Sequence, residues 1–290
     1  MRPLDLSREL FGQRFQNPLL LAAGTAGFGK ELDGVLDLER LGGLVTKAVS
    51  REPREGNAAP RVAEFPGGML NSVGLANPGV VRVREEYLPW IASRLTRARV
   101  LVNVVGFTVE EYSDVVAELD GSPGITAFEL NLSCPNTRAG GIEFGADPAS
   151  VHRIVSLCRT RTRLPLIAKL SPVLPDIAGM AQTARDAGAD AISAVNTMPG
   201  FLFGGNSPRL GNGNGGVSGP GLLPVGVLAV ARIVERIGPT PVIGVGGVRA
   251  AADVRQYLKV GAALVAIGTG ALADPRMPQR IIADLEQGNG

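Results

Sequence analysis

At 290 residues the chain is somewhat longer than the roughly 250 typical of one eight-stranded α/β barrel, and long enough for a single large core. Its 29 Lys and Arg against 27 Asp and Glu leave a net charge of +2 with no basic block, which argues against nucleic-acid or acidic-surface partners. Two cysteines make no disulfide framework and cannot ligate an ordinary iron–sulfur cluster, the opening MRPLDLSREL lacks a signal-peptide core, and no apolar run reaches membrane-span length, so a cytoplasmic protein without a membrane partner is expected.

Taken in chain order, short apolar runs alternate with helical patterns. Strands are predicted at 19–23, 43–47, 100–104, 126–131, 166–170, 191–195, 242–245 and 263–267. Helices are predicted near 30–41, 80–97, 109–119, 148–161, 175–187, 224–237, 250–259 and 275–285, several of them opening at or beside a proline. The strands are continuous and rich in Val, Ile, Leu and Ala, which fits a parallel sheet covered on both faces. Eight alternations indicate a closed (β/α)8 TIM barrel rather than an open doubly wound sheet. No Pro/Ser linker divides the chain, so one domain spanning 1–290 is expected. Two long insertions interrupt the pattern, 48–79 and 197–223. The second contains GNGNGG (211–216), which reads as a flexible low-complexity loop.

The stretch with the most chemistry is TAFELNLSCPNTRAGG, 126–141. A strand ending at Asn131 runs into a polar turn carrying Cys134, stiffened by Pro135, and then into a glycine-bearing loop. A thiol just past the C-terminal end of a barrel strand is where α/β enzymes keep reactive groups. The alternative is a small buried hydrophobe, but Ser, Pro and two Asn beside it are poor core-fillers.

Residues past each barrel strand gather at one mouth. Lys47 ends the second strand and Lys169 sits in the fifth; Asn103, Asn131 and Asn196 lie at the third, fourth and sixth, with Asn71 and Asn136 on loops. Each alone is an ordinary surface or turn residue. Together they make a polar mouth with two cations, suited to a planar heterocycle edged with C=O and N–H groups. The last two strands end in GVGG (244–247) and GTG (268–270), where barrels often hold phosphate on backbone N–H groups. The alternative there is a pair of tight turns without a ligand. A dinucleotide fingerprint fails at the third glycine and would come far too late in the chain. There is no Walker A segment, no metal-spaced cluster and no Ser-His-Asp set; the single histidine, His152, falls within a predicted helix.

ELNLSCPN (129–136), TKAVSREPREGNAAPR (46–61), GMLNSVGLANPG (68–79), VSGP, GVGGV and IGTG strongly resemble class 1 dihydroorotate dehydrogenases, over nearly the whole chain. The resemblance implies an FMN-dependent barrel that oxidises (S)-dihydroorotate to orotate in pyrimidine biosynthesis. By it, Cys134 looks like the base that takes the C5 proton while hydride leaves C6, and a cysteine rather than the serine of class 2 assigns the class. Asn71, Val73, Gly74, Leu75, Asn131, Asn136, Asn196 and Thr197 resemble the residues around orotate, and Lys47 one shared by substrate and flavin. Ala23, Gly24, Ala48, Asn103, Asn131, Lys169 and Val195 resemble flavin-ring and ribityl contacts, and Gly219, Gly246, Gly247, Gly268 and Thr269 the phosphate and adjoining contacts. The loop 137–147 is placed to close over Cys134.

GMLNSVGLANPG resembles the NAD-linked subclass, which implies a homodimeric core and a partner subunit carrying FAD and an iron–sulfur centre. Other readings are a fumarate-using homodimer, another FMN barrel acting on a pyrimidine, such as a dihydropyrimidine dehydrogenase module, or a flavin subunit that only relays electrons. Two features depart from the family: the Gly/Asn-rich 197–223 insertion, and Leu222-Leu223-Pro224 where a lysine often precedes that proline.

Overall fold

Eight parallel strands close into a barrel in the computed structural model, which describes residues 4–132 and 145–288. The chain opens with a hairpin of β1 (Arg8–Leu10) and β2 (Gln13–Phe15), then enters the barrel through β3 (Leu19–Leu21) and β4 (Gly43–Val45). The first insertion holds β5 (Val62–Phe65) and β6 (Gly68–Asn71). The barrel continues with β7 (Arg99–Val104), β8 (Ala127–Asn131), β9 (Leu166–Leu170) and β10 (Ala191–Ala194). The second insertion holds β11 (Met198–Phe201), β12 (Phe203–Gly204), β13 (Ser207–Pro208) and β14 (Asn214–Ser218). Finally β15 (Val242–Val245) and β16 (Leu264–Ile267) complete the ring, and β16 pairs with β3 to close it. All eight expected barrel strands are present, each within a residue or two of its predicted bounds.

Side chains alternate between the faces of each strand, and here both faces are buried. The outward set, including Leu19, Leu44, Val102, Phe128 and Leu166, packs on helices that contribute Val115, Ile154, Val155 and Ile233. The inward set begins with Leu20, Val45, Leu101, Ala127, Ile167, Ala191, Ile243 and Leu264, and these pack with Leu10 and Phe15 of the hairpin. Phe15 is fully buried there, worth about 2–3 kcal/mol of transfer free energy by area. The lumen is therefore a filled core at this end.

Three of the helices start where a side chain takes up free N–H groups. Thr108 caps Val109–Leu119 by accepting from Glu111 N–H at 3.2 Å. Asp147 caps Pro148–Arg161 through Ala149 and Ser150, with Pro148 in the first turn, and the Ser150 hydroxyl and amide hold its carboxyl below the usual range. Ile177–Asp186 starts beyond Pro175 because Asp176 is its cap, accepting from Gly179 at 2.8 Å. Leu222–Ile237, Ala251–Lys259 and Met277–Glu286 follow near their predicted positions.

Two predicted helices need correction. Residues 30–41 form only the 3-10 turns Lys30–Leu32 and Leu38–Arg40, because the chain turns extended at Asp33 (ψ 126°). The 80–97 helix runs as Val80–Arg82, a π turn Val83–Tyr87 and Leu88–Arg94, then stops at an extended Leu95. Glu39 causes the early stop: its carboxylate accepts the N–H groups of Thr96, Arg97 and Ala98.

The second insertion is also corrected. The residues 214–216 of the glycine/asparagine run belong to β14, an inner strand of an antiparallel sheet ordered β11–β14–β6–β5. Gly216 lies opposite Asn71, and a Cβ there would collide with Thr197 Oγ1, so close approach and not looseness explains the glycine. The sheet joins the insertion that follows β4 to the one that follows β10. No helix among the described residues is long and apolar enough to cross a membrane.

Candidate active site

One step above the apolar layer of the lumen, the period of two brings in Asn103 on β7, Glu129 on β8, Lys169 on β9 and Ser193 on β10, with Lys47 just past β4. The facing strands contribute Ala22, Val245 and Ala266. The mouth is thus polar on one half and apolar on the other. Asn103 Nδ2 donates to Glu129 Oε1 at 2.7 Å, and Lys169 Nζ stands 3.6 Å from the same oxygen. Glu129 is 1% exposed and Lys169 7%, so the pair is held almost dry. Desolvating two such charges costs several kcal/mol each, which only close pairing and further hydrogen bonds offset. Asn103 N–H is also held by Thr46 Oγ1 at 3.1 Å. Two polar atoms in this layer stay buried without a hydrogen-bond partner among the described residues, Asn103 Oδ1 and Ser193 Oγ. Buried polar atoms are nearly always satisfied in folded proteins, and orphans call for a cause.

The expected pair of cations is thereby qualified. Lys169 faces a carboxylate, whereas Lys47 makes no ion pair among the described residues; its backbone N–H is fixed by Gly27 O at 2.7 Å, and Ala48 beside it is buried.

The asparagines at the rim do come together. Asn196 Nδ2 lies 3.4 Å from Asn131 Oδ1, and Asn196 Oδ1 accepts from Thr197 N–H at 2.8 Å. The Asn131 carbonyl is pinned by the Tyr112 hydroxyl at 2.8 Å. Asn71 donates to Gly216 O at 3.1 Å, and Gly216 abuts Thr197, so β14 links Asn71 to the end of β10. Val73, Gly74 and Leu75 follow β6 on a loop clasped from both sides. Asn57 N–H reaches Val73 O at 3.1 Å, and the buried Asn77 amide donates to Ser50 Oγ and Leu75 O, both at 2.8 Å. Leu75 sits at φ 59°, a left-handed conformation that costs a non-glycine residue roughly 1–2 kcal/mol. Cys134 and Asn136 lie outside the described residues, as does most of the 137–147 loop.

The glycine residues gather on the other flank. Gly247 has φ +77°, and a Cβ on it would lie 2.7 Å from Leu223 Cα, against backbone that cannot rotate away. The Gly246 carbonyl accepts from the buried Tyr257 hydroxyl at 2.8 Å. Gly268 and Thr269 open the short helix Thr269–Ala273, and Thr269 Oγ1 donates to Ser218 Oγ at 2.7 Å, next to Gly219. Ala23 and Gly24 follow β3, which adjoins β16, with Ala22 N–H on Ile267 O at 2.9 Å. Val195 is buried at the end of β10.

Other reactive groups lie apart. His152 is exposed on its helix. Cys158 is fully buried, and desolvation pushes its thiol up to about 12. Among the described residues no group of three or more His, Cys, Asp and Glu could hold a metal ion. Sequence reasoning missed Glu129, Ser193, Asn77 and Tyr257. For Glu129 a signal existed, since a carboxylate two residues before Asn131 in an apolar strand must share its face. Tyr257 gave none, being one more apolar position of a helix.

A family model described as dihydroorotate dehydrogenase matches residues 5–288. Two similar curated proteins are both described as dihydroorotate dehydrogenase B (NAD(+)), catalytic subunit. That of Desulforudis audaxviator is 46% identical, over 95% of this chain and 90% of its own. That of Geotalea uraniireducens is 42% identical, over 97% and 92%. In fold, the chain resembles the DHODH of Eimeria tenella crystallised with ferulenol, at a TM-score of 0.84 and 20% identity, covering 97% of this chain and 83% of that one. With the family model spanning all but the chain's extremities and relatives above two-fifths identity along their length, the chain belongs to the dihydroorotate dehydrogenase family.

Proposed function

We propose that this chain oxidises (S)-dihydroorotate to orotate in pyrimidine biosynthesis, as the FMN-bearing catalytic subunit of an NAD-linked enzyme. The observation that carries the reading is the half-polar barrel mouth, found in a chain similar along its length to catalytic subunits of that description.

The residues present fit FMN. The orphaned Asn103 Oδ1 and Ser193 Oγ await donors or acceptors, the Ala22, Val245 and Ala266 side suits a flat apolar ring face, and the Gly247 turn leaves no room for a side chain. Ala23, Gly24, Ala48, Asn103, Lys169 and Val195 would hold the ring and ribityl chain, and Gly219, Gly246, Gly247, Gly268 and Thr269 the phosphate. When bound, FMN accepts the hydride that leaves C6 of the substrate.

The protein's own work is positioning and proton transfer. Asn71, Asn131, Asn136, Asn196 and Thr197 can meet the carbonyls, ring N–H groups and carboxylate of dihydroorotate without adding charge. Val73, Gly74 and Leu75 would line the same site. Lys47, the cation that forms no ion pair among the described residues, suits the substrate carboxylate and the adjoining flavin edge. Orientation of this kind can supply about 7–11 kcal/mol of a catalytic barrier. Cys134 is assigned as the base that takes the C5 proton, so that loss of proton and hydride together leaves the C5=C6 bond. A free thiol has a pKa of about 8.5, so activity should rise with pH through one ionisation.

NAD+ reduction is assigned to a partner subunit, since this chain has two cysteines and no dinucleotide fingerprint; the family resemblance implies that the partner carries FAD and a 2Fe–2S centre. A homodimeric core completes the assembly. The test is assay of the purified chain with three acceptors. It should be yellow, release FMN on denaturation, and oxidise dihydroorotate with a quinone-like dye but not with NAD+ until the partner is co-expressed. Cys134→Ser should slow flavin reduction on the order of a hundredfold or more while FMN stays bound. Rapid turnover with fumarate would overturn the NAD-linked assignment, and release of FAD would overturn the cofactor.

A further inference from the structure

A buried carboxylate stands beside the proposed flavin site, and neither substrate binding nor proton transfer uses it. Glu129, 1% exposed, lies on β8 opposite Asn103 of β7, with the side chain of Lys169 on β9 reaching to 3.6 Å of it. Stability does not explain it. Replacing a buried ion pair with well-packed apolar residues is often neutral or stabilising, and the layer immediately below is apolar all round the barrel.

Its geometry does carry a consequence. An ionised carboxylate can only accept hydrogen bonds, so it fixes which end of the Asn103 amide faces it. Nδ2 points to Glu129 Oε1 at 2.7 Å, and Oδ1 is left buried with no partner among the described residues. The backbone N–H of Asn103 is already taken by Thr46 Oγ1, which keeps the residue from shifting to satisfy itself. The same Oε1 lies 3.6 Å from Lys169 Nζ, so one oxygen sets both a neutral acceptor and a cation on the polar side of the lumen.

We infer that Glu129 is a positioning residue of the cofactor site: it locks the Asn103 amide so that Oδ1 is presented to a hydrogen-bond donor of the bound cofactor, and it anchors the Lys169 ammonium beside the same group. The inference rests on the FMN reading. In FMN the donor is either a ribityl hydroxyl or the ring N3–H. Glu129 touches neither; it acts through Asn103 and Lys169.

Glu129→Gln is nearly isosteric but can donate as well as accept, so it frees the Asn103 amide to flip and removes the negative charge 3.6 Å from Lys169 Nζ. The apoprotein of each variant is titrated with FMN by flavin fluorescence, and the midpoint potential of bound FMN is measured. Wild type must bind FMN; if it does not, the cofactor reading itself fails. Given binding, Glu129→Gln should weaken FMN at least about tenfold, the usual effect of a mismatched buried polar pair, and move the potential to a more positive value because a negative charge beside the site is lost. Glu129→Asp, which keeps the charge, should recover the potential more than the affinity. The double variant Glu129→Gln, Lys169→Met removes both charges and covers the case in which the single variant does not fold. It should bind FMN weakly, at a potential more negative than wild type. Removing one donor from the ligand separates the two sources: N3-methyl FMN should lose the sensitivity to Glu129→Gln if the donor is the ring N3–H and keep it if the donor is a ribityl hydroxyl. A folded Glu129→Gln, or double, variant with wild-type affinity and potential overturns the inference.

Discussion

Removing one buried hydroxyl, in Tyr257→Phe, tests how the glycine flank of the mouth is held. The Tyr257 ring is fully buried against Gly244 and Gly226, and its hydroxyl donates to Gly246 O at 2.8 Å. Phenylalanine keeps the packing and leaves that carbonyl without its donor. A neutral hydrogen bond is worth about 0.5–1.5 kcal/mol and an unsatisfied buried acceptor costs about 1–3, so a loss of about 2 kcal/mol is expected. At roughly 2–4 °C per kcal/mol for a domain of this size, the melting temperature should fall by about 4–8 °C. FMN affinity should fall with it, because Gly246 and Gly247 lose their tether. The pH dependence has a definite sign. Burial first, then the nearby Asp253 charge, raises the hydroxyl above its ordinary value of 10.0. The unfolded chain therefore ionises first, and wild type loses stability as pH rises above about 10. The phenylalanine variant has no such group, so the gap between the two should narrow at pH 11. Thermal melts at pH 7.5 and 11, paired with FMN titrations, read both effects. An unchanged melting temperature, or a gap that widens in alkali, would refute this account of the flank.

Two further outcomes are expected. Gly247→Ala should lower FMN affinity about tenfold or more and destabilise the apoprotein by about 1–2 kcal/mol, since it combines a left-handed φ with pressure on the Leu223 backbone; an alanine variant that titrates with FMN like wild type would remove Gly247 from the phosphate cradle. Cys158, buried and raised to about 12, should resist alkylation at pH 8 until the chain unfolds. Mass spectrometry after brief labelling of the native protein should find Cys158 unmodified, and rapid native labelling there would contradict its burial.

The barrel was legible because parallel strands covered on both faces must be apolar without alternation, and runs such as LLLAA and LIAKL announce themselves. Helices with a side-chain cap were legible too, as at Thr108 and Asp147. What failed was decided at a distance. The Leu88–Arg94 helix ends where it does because Glu39, from another segment, takes the N–H groups of Thr96, Arg97 and Ala98. Likewise β14 looks like loose loop in isolation and becomes a strand only because Asn71, far away in sequence, lies opposite Gly216. In the site, the approach of Asn196 to Asn131, 3.4 Å apart, was legible from their places at strand ends. The pairing of Lys169 with Glu129 was not, because it depends on barrel register and not on spacing.

The same β14 sets a limit on how the protein can be trimmed or borrowed from. It has hydrogen-bonding neighbours on both sides, β6 and β11, and β6 is paired on its other side with β5. Cutting back 197–223 as though it were dispensable would strip one side of Gly68–Asn71 and leave its backbone N–H and C=O groups facing water. A bared strand of this kind invites edge-to-edge association between molecules. A shortened version would thus be expected to aggregate before it showed any defect in chemistry, and grafting this mouth onto another barrel would require moving both insertions as one piece.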